Sequence, residues 1–349
     1  MNNSPIQTAI CSFGMSGKVF HAPFVHANKG YNLYGVWERS KKTVTEFYKE
    51  AKSFDTLEEM LADENIELVI VNTPNATHFD YAKKALLAGK HVIVEKPFVI
   101  NTAEGAELIA LAAKQGKKIS VYQNRRYDSD AKLLKKVVNE NLLGTIGEAE
   151  LHYDRYRKEL SPKVHKETPG PGNGILYDLG AHLIDEALQL FGSPDAVFAD
   201  SLIMRPVSKV DDYFEILFYY PGKRVRLKAS NQVREAIPAF VLHGSEGSLI
   251  KSRGDVQEND LIAGKKPDSD NWGIEPENER GFLHTEKDGK VIKEFIAAPL
   301  GNYMEYFDQM YKAIRLNERV PVTAEEGLEV IKVIEAAFQS DRERRVVDL

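Results

Sequence analysis

The stretch I-C-S-F-G-M-S-G-K-V-F-H-A-P-F, residues 10–24, decides the fold of the first part of the chain. A short apolar strand, 8–11, leads into a turn in which Gly14 and Gly17 stand three residues apart, and a helix-compatible segment follows. This order is typical of the dinucleotide-binding fingerprint G-x-G-x-x-G, whose first position here is Ser12. A plain strand–helix turn without a ligand is the structural alternative.

Strand and helix patterns alternate through the first 125 residues. Apolar runs predict strands at 8–11, 33–37, 68–72, 91–95 and 118–122, and helical patterns lie between them at 41–51, 56–62, 79–88 and 102–115. Alternation at this spacing predicts βαβ units, and strands that are almost entirely apolar fit a parallel sheet covered on both faces. The sequence therefore predicts an α/β Rossmann domain, a doubly wound parallel sheet, over residues 1–125.

The pattern changes after residue 126. Alternating runs at 147–157, 213–220, 223–230 and 240–243 predict strands, and helical patterns cover 129–139, 177–191, 302–316 and 323–343. We expect an α+β domain over 126–349 with a large, open, mostly antiparallel sheet, and C-terminal helices that pack back on the first domain. The Gly-, Pro-, Asp- and Asn-rich stretch 253–280 is interpreted as a surface excursion.

Composition excludes several classes of protein. A chain of 349 residues suggests two domains, and a net charge of −6 gives no general attraction to nucleic acid or to anionic membranes. The single cysteine, Cys11, excludes an internal disulfide framework, and the nine histidines form no ligand-spaced cluster, so no metal site is predicted. No apolar run is long enough to span a bilayer and the N-terminus lacks signal-peptide features, so we expect a cytoplasmic protein.

The fingerprint assigns a role to each residue of the turn. Gly14 lets the backbone approach a pyrophosphate, Gly17 allows close helix–strand packing, and Ser12 can replace the first glycine if its φ stays negative. Backbone N–H groups at the start of the helix can hold the phosphates. Glu38, twenty-one residues after Gly17 at the end of the second strand, stands where an acid binds the adenosine ribose hydroxyls.

The choice between NAD and NADP stays open. Glu38 favours NAD because a carboxylate repels a 2′-phosphate, whereas Arg39, Ser40 and Lys41 could accept that phosphate if Glu38 turns away. The stretch E-R-S-K-K, residues 38–42, slightly favours NADP over NAD. A charged strand end without any cofactor contact is the alternative interpretation.

Two further segments carry candidate catalytic residues. In H-V-I-V-E-K-P-F, residues 91–98, Lys96 follows a strand at the carboxyl edge of the sheet, where ligands bind, and the Lys-Pro bond there can be cis. In G-P-G-N-G-I-L-Y-D-L-G-A-H-L-I-D-E-A-L, residues 170–188, a glycine-rich loop precedes a predicted helix. Asp178, His182 and Asp185 follow one another at spacings of four and three, which puts all three on one face of that helix.

These residues resemble the glucose-fructose oxidoreductase, inositol dehydrogenase and rhizopine-catabolism family (Gfo/Idh/MocA), and the resemblance covers essentially the whole chain. Its marks besides the turn are T-P-N-A-T-H (73–78), E-K-P-F (95–98), N-R-R-Y-D-S-D (124–130), Y-D-L-G-A-H-L-I-D (177–185) and the tail V-P-V-T-A-E-E-G-L-E-V. Within the family, F-H-A-P-F, H-Y-D-R-Y-R (152–157) and G-P-G-N-G-I-L-Y-D-L are most similar to NADP-dependent scyllo-inositol dehydrogenases. Ser12 is the departure from the family pattern.

The resemblance implies a role for each matching residue. The catalytic lysine, aspartate and histidine fall on Lys96, Asp178 and His182. The cofactor-binding positions are Ser12, Gly14, Met15, Ser16, Gly17, Glu38, Arg39, Thr73, Pro74, Asn75, His78, Glu95 and Lys96. The substrate-binding positions are Asn124, Arg125, Tyr153, Arg155, Tyr156 and Asp185. For the first five of these, structural or interdomain contacts are an equal alternative.

The implied activity is NAD(P)-dependent hydride transfer to or from a secondary alcohol of a cyclic polyol or sugar. In oxidation, His182 would take the hydroxyl proton, Asp178 would orient or stabilise the imidazole, and Lys96 would stabilise the developing alkoxide. An NAD-dependent glycosidase and a non-catalytic dinucleotide or sugar sensor are the alternatives, and retention of all three residues argues against the sensor. The resemblance also implies a homodimer or homotetramer that pairs through the open sheet.

Overall fold

The structure is a computed structural model that describes residues 4–349, the side chains of residues 164 and 165 excepted. Residues 4–124 contain six strands and five helices. The strands are β1 (Ile6–Ile10), β2 (Tyr31–Trp37), β3 (Lys52–Phe54), β4 (Leu68–Val71), β5 (His91–Glu95) and β6 (Ile119–Tyr122). The helices are α1 (Ala22–Ala27), α2 (Val44–Phe47), α3 (Leu57–Ala62), α4 (His78–Leu87) and α5 (Thr102–Gln115).

The rest of the chain contains nine strands and six helices. In chain order these are α6 (Ser129–Asn139), β7 (Ile146–His152), α7 (Val164–Glu167), α8 (Ala181–Phe191), β8 (Ala196–Leu202), β9 (Tyr213–Tyr220), β10 (Lys223–Ser230), β11 (Phe240–Gly244), β12 (Gly247–Lys251), α9 (Gln257–Ile262), β13 (Gly281–Lys287), β14 (Lys290–Ile296), α10 (Met304–Arg315), α11 (Ala324–Glu343) and β15 (Val347–Asp348). Short π-helical turns precede α1 (Gly17–His21) and α8 (Leu176–Gly180).

The predicted fold class is confirmed. β1 to β6 form a parallel sheet in the order β3-β2-β1-β4-β5-β6, the strand order of a dinucleotide-binding Rossmann fold. The other nine strands form one sheet in the order β14-β13-β12-β11-β7-β10-β9-β8-β15, antiparallel except where β10 runs parallel to β7. Along β9 every second residue is buried, as expected of a sheet with one covered face.

The chain divides into two compact units. The first unit comprises the residues up to Asn124 together with 257–272 and 302–328, and the second comprises 125–256, 273–301 and 329–349. In the first unit α10 packs against α1, where the rings of Phe24 and Phe307 stack with centroids 5.5 Å apart. In the second unit α8 packs on β7 and β10. The domain boundary predicted at residue 125 stays a prediction.

The stretch 253–280 is not simply a surface excursion, and that interpretation is wrong in part. It contains α9, whose Gln257 is fully buried and accepts hydrogen bonds from Tyr303 N at 2.8 Å and from Trp272 Nε1 at 3.2 Å. Glu275 is also buried and accepts from Lys251 Nζ at 2.7 Å. The polar composition of this stretch predicts exposure, but several of its polar residues accept hydrogen bonds from buried donors.

Candidate active site

The glycine turn has the geometry that the fingerprint requires. A Cβ added at Gly17 would lie 2.1 Å from the carbonyl oxygen of Ser12, so only glycine allows this close approach. At Gly14 an added Cβ would meet nothing nearer than Ser12 Oγ at 3.4 Å, an ordinary contact, so the chain's own packing does not require a glycine there. Ser12 is not among the residues with positive φ, and its hydroxyl accepts from Gly14 N at 3.2 Å. The residues present therefore fit a phosphate-binding turn.

A buried carboxylate ties this turn to the end of β5. Glu95 Oε1 accepts from Ser16 Oγ at 2.5 Å and lies 2.8 Å from Nε2 of the buried His21. Burial raises the pKa of Glu95, but His21, Ser16 and Lys96 outweigh that effect and bring it to about 2. Ser16 and Glu95, both predicted cofactor positions, are thus in direct contact.

Lys96 follows Glu95 and precedes a cis peptide bond to Pro97, as the sequence allowed. The carbonyl of Pro97 lies 2.8 Å from Nδ1 of His78, whose Nε2 lies 2.9 Å from the carbonyl of Thr73. Burial lowers the pKa of His78, although both carbonyls oppose the shift. His78 therefore links the segment after β4 to the segment that carries Lys96.

The remaining cofactor positions line the carboxyl ends of the first unit's strands. Thr73 Oγ1 lies 2.7 Å from Thr77 Oγ1, and Pro74 and Asn75 begin the short helical turn before α4. Met15 is exposed. Asn124, a predicted substrate position, is buried at the end of this unit.

Glu38 is buried and its carboxylate is held from within the first unit. Oε1 accepts from Thr43 N at 2.8 Å, and Oε2 accepts from Ser53 Oγ at 2.8 Å and Val44 N at 3.2 Å. Arg39, next in the chain, is exposed, as are Ser40 and Lys41. The carboxylate is thus turned toward α2 and β3, and the basic residues remain on the surface.

Asp178 and His182 lie about one turn apart, where the π-helical turn passes into α8. The turn begins after Gly174, at φ +95°, where an added Cβ would lie 1.8 Å from Asp211 Oδ1. Asp211 Oδ2 accepts from Leu176 N at 2.9 Å, and burial raises the pKa of Asp211 to about 6. The spacing of four residues predicted a shared face but not the π-helical turn, a feature frequent at functional sites.

His182 is buried and stacks on Tyr153, with ring centroids 6.4 Å apart. The Tyr153 ring also lies beneath the guanidinium groups of Arg155 at 4.9 Å and Arg125 at 6.0 Å. A third guanidinium, that of Arg253, lies 4.2 Å from the same ring and forms two 2.9 Å hydrogen bonds to Glu186. Three predicted substrate positions thus gather beside His182.

Two other predicted substrate positions have different surroundings. Both carboxylate oxygens of the buried Asp185 accept from Arg126, at 2.8 and 2.6 Å, so a substrate hydroxyl would share them with that arginine. Tyr156 is exposed and accepts from Arg234 Nη2 at 3.0 Å, which lowers the pKa of Tyr156.

Sequence reasoning missed two residues in this cluster. Lys166 Nζ lies 2.7 Å from Asp178 Oδ1, and Arg253 contacts Tyr153 as described. Lys166 and Arg253 follow irregular segments without a periodic pattern, so no signal in the sequence pointed to either residue. A third residue, Arg157, was also missed, although the alternation of Tyr153, Arg155 and Arg157 gave a signal for it. Burial and Arg155 lower the pKa of Arg157, whereas Asp178 raises it.

Two features are absent from residues 4–349, the side chains of 164 and 165 apart. No group of three or more His, Cys, Asp or Glu side chains is arranged to hold a metal ion in this part of the chain. None of its helices combines the length and the apolar character needed to cross a membrane.

A Rossmann sheet with a glycine turn, followed by an α/β unit, is an arrangement typical of nicotinamide-dinucleotide-dependent oxidoreductases. The sequence profile of the oxidoreductase family with an NAD-binding Rossmann fold matches residues 6–123, and that of its C-terminal α/β domain matches residues 135–349. The chain belongs to this family, Gfo/Idh/MocA, and is an NAD(P)-dependent dehydrogenase.

Individual relatives match over nearly their whole length. The scyllo-inositol 2-dehydrogenase (NADP(+)) IolW of Bacillus subtilis is 37% identical over 99% of this chain and 96% of its own. A crystal structure of a Bacteroides fragilis protein is 45% identical with a TM-score of 0.91, covering 99% of this chain and 100% of its own. YvaA of Bacillus subtilis is 36% identical with a TM-score of 0.96, covering 100% and 99%.

Proposed function

We propose that the protein transfers hydride between a nicotinamide and a secondary alcohol of a cyclic polyol or sugar, with scyllo-inositol or a close analogue as substrate. The observation that carries the proposal is the pair Asp178 and His182, about one helical turn apart, with His182 buried against Tyr153. A buried imidazole next to a carboxylate is suited to proton transfer near neutral pH. The similarity to the scyllo-inositol dehydrogenase IolW supports the choice of substrate class.

Each residue of the chain has a defined part in the proposed reaction. When bound, the nicotinamide accepts hydride from the alcohol carbon or returns it to the carbonyl. His182 takes the hydroxyl proton in oxidation and gives it back in reduction, and Asp178 stabilises the imidazolium. Lys96 stabilises the negative charge that develops on the substrate oxygen. The guanidinium groups around Tyr153 supply donors for the other hydroxyls.

We also propose NADP as the preferred cofactor. The Glu38 carboxylate accepts four hydrogen bonds inside the first unit, which leaves the exposed Arg39, Ser40 and Lys41 to meet a 2′-phosphate. Arginine binds phosphate well because its planar guanidinium donates two parallel hydrogen bonds. The relative IolW is named for NADP(+).

Absorbance at the reduced-nicotinamide band tests the function. NADP and NAD are supplied separately with scyllo-inositol, myo-inositol, glucose, xylose and galactose, and growth of the band with one pairing supports the proposal. His182→Ala should abolish turnover without loss of cofactor binding, and Lys96→Ala should lower kcat on the order of 10²-fold. Hydrolysis of a glycoside without net nicotinamide change would favour the glycosidase, and cofactor binding without any turnover would favour the sensor.

We further propose that a second copy of the chain covers the open face of the nine-stranded sheet. Cross-strand pairing aligns Val241, Ile250, Phe282 and Phe295, which we name the apolar row, on four adjacent strands. Phe295 is 68% and Ile250 37% exposed. Beyond Val241 the row continues into Glu150, which is paired with Arg226 at 2.7 Å. An apolar patch bordered by paired charges is typical of a protein–protein interface.

A further inference from the structure

We propose that Lys166 is a positioning residue for the Asp178–His182 pair, and that buried Arg205 anchors the loop that carries it. Lys166 would set how much of the Asp178 charge acts on His182. The inference rests on the proposed function for its catalytic meaning, but its electrostatic content can be measured without turnover.

The contact itself is close but partly open to solvent. Lys166 Nζ lies 2.7 Å from Asp178 Oδ1, and the two side chains are 38% and 30% exposed. Ion pairs with this exposure contribute little to stability and do not hold a loop in place by themselves. A fixed Lys166 therefore requires a separate anchor for its loop.

Arg205 provides that anchor. It is 3% exposed, and its Nε donates to the equally buried Asp212 at 2.7 Å. Its two terminal nitrogens donate to the carbonyl of Glu159 at 2.8 Å and to Glu167 Oε2 at 3.1 Å. The other oxygen of Glu167 accepts from Ser161 N at 2.8 Å. One buried guanidinium thus fixes both ends of the segment 159–167, which ends in the short helix α7 that carries Lys166.

The same short segment also holds the other partner of the ion pair. Asp211, adjacent to Asp212, accepts from Leu176 N through its side chain and from Ile175 N through its carbonyl, both at 2.9 Å. These residues begin the helical segment on which Asp178 lies. The doublet Asp211–Asp212 therefore positions Lys166 through Arg205 and Asp178 through the helix start, which fixes both partners relative to one another.

Lys166 contacts Asp178 directly through its ammonium group. Arg157 also interacts electrostatically with Asp178, although burial lowers the pKa of Arg157 overall, and Arg155 lies over Tyr153. The other charges close to His182 on α8 are neutralised in pairs, Asp185 by Arg126 and Glu186 by Arg253. Removal of the Lys166 ammonium leaves more of the Asp178 charge to stabilise an imidazolium at His182.

The test is an NMR titration of the His182 ring in the full chain, with the signal identified by its absence in His182→Asn. In Lys166→Met the titration midpoint of His182 should rise by about 0.5 pH unit or more, and Lys166→Arg should restore it. Glu167→Gln breaks one contact to Arg205 without removing the buried guanidinium, and it should give a smaller rise than Lys166→Met because the lost carboxylate charge acts in the opposite direction. The exposed Lys136→Met on α6 is the matched control and should leave the midpoint unchanged.

Kinetics give the second readout. If the proposed function holds, Lys166→Met should move the acidic limb of kcat for alcohol oxidation to higher pH and lower kcat on that limb about threefold, because His182 acts as a base only when deprotonated. A lower melting temperature with an unchanged His182 midpoint would make Lys166 merely structural and overturn the inference. Absence of turnover in the unmodified chain would instead contradict the proposed function, and the titration would still decide the role of Lys166.

Discussion

Asp211 has surroundings unlike those of a carboxyl group in water. Burial raises its pKa from the usual 3.8 to about 6, although the backbone N–H groups of Leu176 and Ile175 oppose the shift. Between these values the native state binds more protons than the unfolded state. The stabilisation that comes from the protonated carboxyl is therefore full below about pH 4 and is lost as the pH rises through 6.

Asp211→Asn should remove this dependence. The asparagine keeps an oxygen for Leu176 N. Between pH 4 and pH 7.5 the free energy of unfolding should therefore decline by about 2–3 kcal/mol less in this variant than in the unmodified chain. Urea unfolding at pH 4.5, 6 and 7.5 measures it. The exposed Asp268→Asn is the control, and an Asp211→Asn curve parallel to that control would contradict the raised pKa.

Arg39 should determine the preference between the two cofactors. Because Glu38 is turned inward, Arg39→Ala removes a charged donor from the 2′-phosphate and should raise the Kd of NADPH about tenfold, as expected for one charge-assisted hydrogen bond. The Kd of NADH should change less than about twofold, since NADH has no such phosphate. Fluorescence titration measures both, with exposed Lys49→Ala as the control. Equal weakening of the two cofactors would rule out phosphate recognition by Arg39.

The turn between β1 and the following helical segment makes a matched pair of glycine predictions. Gly17→Ala places a methyl group 2.1 Å from the Ser12 carbonyl and should lower the melting temperature by several degrees, because the backbone must move. Gly14→Ala meets only an ordinary contact, so it should keep its stability and lose dinucleotide affinity. Calorimetry and cofactor titration separate the two effects. Loss of stability in Gly14→Ala would mean that this glycine serves packing alone.

Periodicity located the long elements well. The predicted bounds of α5, α6, β9 and β10 match the structure, because strong caps or sharp alternation define their ends; Asn101, for example, accepts from Glu104 N at 2.9 Å at the start of α5. The helix predicted over 41–51 is only Val44–Phe47. The edge strand Lys52–Phe54 was missed because three residues contain too little pattern.

The candidate site could be predicted only where its residues follow a spacing or a motif. Asp178 and His182 have helical spacing, and Lys96 stands at a strand end. Lys166 and Arg253 reach the same cluster through hydrogen bonds between segments far apart in sequence, such as the one from Arg205 to Glu167. No local pattern specifies contacts of this kind.

Charge on the apolar row should break the proposed assembly of two copies. Phe295→Lys and Ile250→Lys place ammonium groups on the open sheet face, and light scattering should show a shift from the oligomer to the monomer of 39.3 kDa. Leu87→Lys, an equally exposed apolar position in the first unit, should leave the mass unchanged. An oligomer that persists in both sheet variants would place the interface elsewhere, and a monomeric unmodified chain would exclude the assembly.

The first unit is built from three separate stretches of chain, and this limits how such a protein can change by recombination. Residues 302–328 supply Phe307, which stacks on Phe24 and accepts from Tyr31 Oη at 2.6 Å, and Val322, whose carbonyl accepts from Ser120 Oγ at 2.7 Å. A gene fragment that ends at Asn124 would encode all six parallel strands but would leave these apolar and polar partners behind. Exchange of the cofactor-binding unit between relatives therefore has to include residues 302–328 together with the residues up to Asn124, so this unit is inherited with most of the chain.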